Sequence, residues 1–322
     1  MLVLGLQGSP RRKGNTAFLL ELFLEEARRL GARTTVISPA REAIVACKGC
    51  GACEKKGLCV SDDGMAKSIY PLLRRADVVV AASPVYFYGV TAQLKGLIDR
   101  CQTLWSRKYR LKLVDPGAAT RAGVMLAVGA TRGAKLFDGL HLTVEYFFDA
   151  VAARNAGSLT YRGVEDVGDM ARHPRVRAEA ATLAAQVCGP LATRRTIAFS
   201  ERGGTGAAVM AAAWMRYLAG AKWDVFVDAS APSGQTAVMV ERVMAARGID
   251  LGYAGIQPLA SDHAPMDRMV AIGSAPMETT PITDRWLLEE GRDPADTDGF
   301  ARLCEEIRQK VARIGDGVPP AA

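Results

Sequence analysis

A short apolar run, Leu2–Gln7, is broken by Gly8-Ser9-Pro10, and beyond Thr16 the apolar residues change period. Leu20, Phe23, Leu24, Ala27 and Leu30 recur at helical spacing until Gly31 stops them. A strand that turns through glycine into a helix, and then repeats the alternation, leaves few architectures open. Arg33–Ile37 reads as a second strand, Met65–Arg75 as a helix and Asp77–Ala82 as a third strand. A helix at Ala92–Trp105, a strand at Ala122–Val128, a helix at Phe137–Ala153, a strand at Gly157–Tyr161 and a helix at Arg175–Cys188 continue the series. Continuous apolar strands such as Asp77–Ala82 are those buried on both faces, so the expected fold class is α/β, a doubly wound parallel sheet. In such a sheet the ligand sits at the carboxyl ends of the strands, beside a topological switch point. The loops beginning at Gly8, Ser83 and Gly129 are therefore the ones to read.

The length of 322 residues implies two domains. Hydrophobic residues at 49% and charged residues at 23% exclude a disordered chain and a small disulfide-stapled scaffold. Charge is uneven: residues 1–194 carry 28 basic and 17 acidic side chains, and residues 195–322 carry 13 and 17. A basic first half attracts phosphorylated cofactors or nucleic acid. Its bases are scattered apart from Arg11-Arg12-Lys13 and do not interleave with aromatics, so no nucleic-acid partner is expected. Met1 is followed by neither a basic n-region nor a cleavage site, and the longest apolar run, 76–92, is interrupted by Asp77, Ser83 and Pro84. The expectation is a cytoplasmic protein with no membrane partner. Seven cysteines in a reducing compartment then point to metal or redox use where they cluster.

The first loop, Gly8-Ser9-Pro10-Arg11-Arg12-Lys13-Gly14-Asn15-Thr16, joins a strand to a helix N-terminus, where unsatisfied N–H groups and the helix dipole favour an anion. Ser9, Asn15 and Thr16 add donors and Arg11 a guanidinium, a set suited to a phosphate monoester. The simpler alternative is a helix start capped by Asn15 or Thr16. The second loop, Ser83-Pro84-Val85-Tyr86-Phe87-Tyr88-Gly89, sets consecutive aromatics where a buried strand ends, either as packing or as a platform for a flat ring.

Taken together, a strand–GSPRxxGNT–helix start and the segment SPVYFYGVTAQLKGLIDR (Ser83–Arg100) resemble the flavodoxin-like NADPH-dependent FMN reductases over residues 1 to about 165. The resemblance implies an FMN phosphate held by Ser9, Arg11, Gly14, Asn15 and Thr16, with the isoalloxazine against Pro84, Val85, Tyr86, Phe87, Tyr88 and Gly89. Gly129, Ala130, Thr131 and Gly133 would complete the ring pocket. Lys95 and Asp99-Arg100 also match, as helix and subunit-contact residues.

Cys47-x2-Cys50-x2-Cys53-x5-Cys59 lies between the second strand and the following helix. Two-residue gaps let successive thiolates converge on one inorganic centre, and four thiolates are the usual complement of a [4Fe–4S] cluster. The spacing resembles the compact motif of the iron–sulfur flavoproteins, a branch of the same superfamily. Relatives with this pattern and no cluster, and a zinc knuckle, are the alternatives. Cys101, Cys188 and Cys304 stand alone and read as small buried hydrophobes.

Past Gly189-Pro190 a new strand begins at Thr196–Phe199, followed by Glu201-Arg202-Gly203-Gly204-Thr205-Gly206 and a helix, Ala207–Ala219. With Trp214, Tyr217, Trp223 and Val243–Asp250, most of 195–315 resembles the low-molecular-weight phosphotyrosine phosphatase and arsenate reductase family. Asp293-Pro294 falls where that family keeps its general acid. The family's Cys-x5-Arg-Ser loop is replaced here by Ser200, Gly206 and Ala207, so neither nucleophile nor phosphate clamp remains. His141, His173 and His263 belong to no motif.

The expected organisation is a flavodoxin-like FMN domain over 1–190, with its cysteine cluster at 47–59, and a degenerate phosphatase-like α/β domain over 195–322. The expected function is an FMN-dependent oxidoreductase taking electrons from NAD(P)H or ferredoxin and passing them to a small-molecule or protein acceptor, as a homodimer or homotetramer. A cluster-free NAD(P)H:quinone or flavin reductase, and a flavin-binding regulatory protein, are the rival readings.

Overall fold

The computed structural model describes residues 1–229, 232–254, 266–273, 282–288 and 296–317. The chain divides into two compact units: Met1–Leu111 with Thr120–Thr193, and Lys112–Ala119 with Arg194–Ala322. Lys112–Ala119, which a boundary at 190–195 leaves in the first domain, is grouped with the second unit.

In the first unit β1 (Leu2–Gln7) leads to α1 (Asn15–Arg29) and β2 (Arg33–Ile37). After the cysteine segment, with its short α2 (Ala52–Lys56), a π-helical turn at Met65–Ile69 runs into α3 (Tyr70–Arg75) and β3 (Val78–Pro84). Then come α4 (Ala92–Arg100), α5 (Gln102–Tyr109), β4 (Ala122–Gly129), α6 (Asp138–Ala150), β5 (Arg154–Arg162), α7 (Asp169–Arg172) and α8 (Val176–Ala192). The five strands are parallel in the order β2-β1-β3-β4-β5. The order reverses between β1 and β3, which makes the ends of those two strands the switch point. Every residue of β1 and β4 is buried, as the continuous apolar runs demand, while the edge strand β2 is largely polar and partly exposed.

Two details at the switch point set the site. Gly8 lies so close to β3 that its N–H bonds the Ala82 carbonyl at 2.7 Å, and a Cβ there would stand 2.7 Å from that oxygen. The Thr91 hydroxyl donates to the Gly8 carbonyl at 2.6 Å while capping α4, so the first and second loops are tied at their roots. The single helix expected over Ala92–Trp105 is two helices. At Cys101 the backbone tightens, its N–H bonding Ile98 O and its carbonyl accepting from Leu104 N, so α4 ends and α5 sets off anew.

The second unit places β6 (Arg195–Glu201), α9 (Ala207–Ala219), β7 (Trp223–Ala229), α10 (Gly234–Ala245), β8 (Arg268–Ile272), β9 (Asp284–Trp286) and α11 (Thr297–Gly315) around a parallel sheet ordered β7-β6-β8-β9. Alanines 207, 208, 211, 212 and 213 let α9 bury most of its surface with small side chains. Phe300, Leu303, Cys304, Ile307, Val311 and Ile314 repeat at helical spacing and form the buried stripe of α11, which Asp296 caps through Gly299 N at 2.8 Å. Val114 bridges Ile249 within this unit, with Val114 N bonding Gly248 O and Asp250 N bonding Val114 O. Among the described residues no helix is long and apolar enough to cross a membrane.

Candidate functional site

At the switch point, Ser9, Arg11, Gly14, Asn15, Thr16, Pro84, Val85, Tyr86, Gly129 and Ala130 line one cavity of about 200 Å³. Val128, Val164, Glu165 and Val167, which the sequence motifs do not single out, complete the lining. The N-terminus of α1 is entered through Gly14 in an extended conformation, and no side chain caps it. Neither Asn15 nor Thr16 is the cap. Helix-terminal N–H groups facing a cavity beside the exposed Arg11 make an anion-favouring end. The Asn15 amide is engaged elsewhere. Its Nδ2 donates to Asp166 O at 2.8 Å, and its Oδ1 accepts from the N–H groups of Gly168 and Met170 at 3.2 Å. It therefore holds the Val164–Val167 wall in place.

Phe87, Tyr88, Gly89, Thr131 and Gly133 stand outside that lining. The reason in the second loop is a tight turn, with Tyr86 and Gly89 exchanging N–H···O bonds of 3.0 Å. Phe87 and Tyr88 both take left-handed backbone angles, φ 49° and 60°, and Phe87 is fully exposed. Such angles in non-glycine residues cost about 1–3 kcal/mol each. In the third loop, Arg162 donates from Nε and Nη2 to the carbonyls of Gly133 and Ala134, and Gly163 N reaches Thr131 O. These bonds draw residues 131–134 towards the end of β5.

A second cavity, of about 420 Å³, is lined by all four clustered cysteines together with Glu54, Asp99, Arg100, Gln102 and Thr103, among others. Cys47 and Cys50 are exposed, Cys53 and Cys59 partly so, and no cysteine of the seven is in a disulfide. Burial raises the Cys53 thiol above its ordinary range, the Ser106 hydroxyl 3.8 Å away lowers it, and Cys59 and Cys47 add to the rise. Among the described residues, no group of three or more His, Cys, Asp or Glu stands at metal-binding separation as placed. The donor chemistry nevertheless fits a thiolate-bound inorganic group, since four thiols of one short segment open onto one cavity.

The cysteine segment is anchored by a buried ion pair. Arg100 Nη1 lies 2.5 Å from Asp63 Oδ2 and Nη2 lies 3.1 Å from Oδ1, with both side chains almost wholly buried. Asp63 also accepts from Val45 N at 2.9 Å and Met65 N at 3.1 Å, thus gripping the segment on both sides of the cysteines. Burial alone would raise the Asp63 carboxyl, but its bonds to Arg100, Val45 and Met65 hold it below the usual carboxylate range. Burial likewise opposes the Arg100 charge, and Asp63 and neighbouring groups outweigh it. Arg100 is thus a packed residue of its own chain rather than a subunit contact. Arg107 Nη1 and Thr103 Oγ1 bond Gly57 O from α5, fastening the far end of the loop.

The three isolated cysteines are buried in apolar surroundings that raise their thiols, Cys188 to about 12. His173 packs edge-on against Tyr161, and His263 and Asp293-Pro294 lie outside the described residues. In the second unit, Ser200 is buried and donates to Asp228 Oδ2 at 2.8 Å, and Arg202 reaches the same carboxyl at 3.3 Å. Glu201 turns into its own loop, accepting from Thr205 N, from Thr205 Oγ1 at 2.7 Å and from Ala208 N at 3.0 Å.

A parallel sheet in the order 2-1-3-4-5, helices between its strands and a cavity at the β1/β3 switch point define a flavodoxin-like α/β unit. Residues 1–144 match the NADPH-dependent FMN reductase family. An iron–sulfur flavoprotein of Methanosarcina thermophila is 32% identical over 171 residues, 52% of this chain and 85% of that protein. One of Methanocaldococcus jannaschii is 38% identical over 133 residues, 41% of this chain and 64% of that protein. The chain belongs, through its first half, to the NADPH-dependent FMN reductase family, with iron–sulfur flavoproteins as its relatives: it is an FMN-dependent oxidoreductase that uses NAD(P)H. An NAD(P)H:quinone oxidoreductase from Methanothermobacter marburgensis overlays 58% of this chain and 93% of its own at 18% identity and a TM-score of 0.43. That likeness is too slight to carry an argument.

Proposed function

We propose that FMN binds with its phosphate at the loop from Ser9 to Thr16 and its ring against Pro84–Tyr86 and Gly129–Ala130, and that Cys47, Cys50, Cys53 and Cys59 hold a [4Fe–4S] cluster. The observation that carries the flavin pose is the single cavity joining the phosphate-type loop to the second and third loops. What the bound groups supply is electron transfer, two electrons with a hydride from NAD(P)H at the flavin and single electrons at the cluster. The polypeptide's part is to bind and orient. Arg11 and the α1 N-terminus neutralise the phosphate, and Asn15 fixes the 164–167 wall. A cavity of about 200 Å³ is below the ~300–1,000 Å³ that encloses a drug-sized ligand, which favours a ring with one face open to an acceptor. Ferredoxin as a further donor, a homodimer or homotetramer, and a cytoplasmic site of action belong to the same reading. Exposed Leu142 and Tyr146 on α6 favour self-association, and open thiols favour a reducing compartment.

Arg11→Ala should weaken FMN about 10- to 100-fold, the loss of one charge-assisted hydrogen bond, and leave riboflavin nearly unchanged. Fluorescence titration of the flavin-free protein with both ligands measures this, and equal weakening of the two would rule the pose out.

The second unit we read as a phosphatase-type fold without phosphatase chemistry. Supporting this, the buried Ser200 hydroxyl is bonded to Asp228, and the Glu201 carboxylate takes the N–H groups of Thr205 in the loop and Ala208 at the start of α9, where a phosphate would seek donors. Gly206 has φ 80°, and a Cβ there would stand 2.6 Å from Val240, so arginine does not fit at that position without strain. The full chain should not hydrolyse aryl phosphates or reduce arsenate above background. Turnover that disappears in Ser200→Ala would overturn this reading.

A further inference from the structure

Arg100 carries its charge where water does not reach it: its side chain is 1% exposed, yet it lines the cavity onto which the four thiols open. Asp63 accounts for Nη1 and Nη2, and the Val45 carbonyl takes a further bond from Nη1. Nε is buried too, and it has no hydrogen-bond acceptor among the described residues. A buried N–H without an acceptor is destabilising and uncommon in folded proteins. Nor can the guanidinium turn to find one. Its fork is matched to a carboxylate that is itself held by Val45 N and Met65 N. Of the two acids on the cavity wall, Asp99 is engaged by Lys95 at 2.5 Å, and Glu54 faces Arg110 at 4.0 Å.

We propose that Arg100 is a positioning residue for the group held by Cys47, Cys50, Cys53 and Cys59, its Nε–H donating to a thiolate or sulfide sulfur on the cavity side. The inference rests on the iron–sulfur reading of those cysteines and assigns the residue that tunes the group. Adding one electron to a thiolate-bound cluster places more negative charge on its sulfurs. A fixed cationic donor therefore stabilises the reduced form more than the oxidised one and raises the reduction potential. Arginine does not release its proton, so the electron arrives without proton transfer from this side chain. Lysine in its place keeps the charge and the pairing with Asp63 but has no Nε–H at this position.

The experiment uses the full chain, FMN-bound and prepared anaerobically, as wild type, Arg100→Lys and the double variant Arg100→Gln/Asp63→Asn, which leaves neither buried charge alone. Iron and FMN per chain are measured, and the cluster is titrated with dithionite and followed by EPR. Arg100→Lys should keep wild-type iron and FMN. Its reduced-to-oxidised ratio at a fixed potential should fall at least tenfold, a negative shift of ~59 mV for one electron. The double variant should shift in the same direction. An unchanged potential in an iron-loaded Arg100→Lys protein overturns the inference while leaving the iron–sulfur reading intact. Should Arg100→Lys not fold, wild-type protein labelled with ¹⁵N-arginine decides. Pulsed EPR of its reduced cluster must then show a ¹⁵N coupling, and the absence of one overturns the inference. Iron-free wild-type protein overturns both the iron–sulfur reading and the inference.

Discussion

Changing any one of Cys47, Cys50, Cys53 or Cys59 to alanine should lower the iron in anaerobically prepared protein from about four per chain to near none, with FMN retained. The four thiols are expected to act as a unit because they lie within one short segment and open onto one cavity. Two of them are exposed, so a centre that has lost a ligand there is open to water and to dissociation. The flavin should survive because the two cavities share no lining residue. Iron, sulfide and flavin analysis with visible spectroscopy checks both halves. Stoichiometric zinc, or no metal at all in the parent protein, would falsify the cluster assignment.

Asp63→Asn should destabilise the first unit by about 3–5 kcal/mol, because it leaves the Arg100 guanidinium buried without its counter-charge. Against a total stability of ~5–15 kcal/mol, a loss of that size is large. It should show as a lower denaturation midpoint in urea, with Arg100→Gln/Asp63→Asn recovering part of the loss. A change below about 1 kcal/mol would mean that the pair contributes little. Acid should reproduce part of the effect. The Asp63 carboxyl is held below its ordinary value in the folded protein, so its contribution is complete above about pH 4 and is lost as the pH falls through the lowered value. The asparagine variant should lack that component of acid sensitivity.

Where local pattern decides structure, the sequence was legible. Leu2–Gln7 and Arg33–Ile37 are strands at the expected bounds, the first because an apolar run ending at glycine leaves little freedom, the second because β-branched Thr34, Thr35, Val36 and Ile37 follow directly on the helix stop at Gly31. The helix break at Cys101 was not legible, since Ala92–Trp105 is periodic throughout and only the backbone tightening at Cys101 interrupts it. The strand expected at Gly157–Tyr161 begins at Arg154, because a register shift opposite Gly123 and Val124 lets the earlier residues pair. Ser9, Arg11 and Pro84 could be placed at the cavity from their motifs. The wall Val164–Val167 could not, because its place depends on Asn15, some 150 residues away in the chain. The same holds for Asp63 and Arg100: each is an ordinary charged residue in sequence, and only their meeting makes them an anchor.

The pairing of Val114 with Gly248–Asp250 has a consequence in time. A ribosome adding ~5–20 residues per second releases Lys112–Ala119 on the order of ten seconds before the residues that receive it exist. During that interval Val114 has an unmatched N–H and carbonyl, and any chaperone or neighbouring nascent chain can compete for them. That pairing therefore closes only late in synthesis, whatever the speed at which the strands of the second sheet pair.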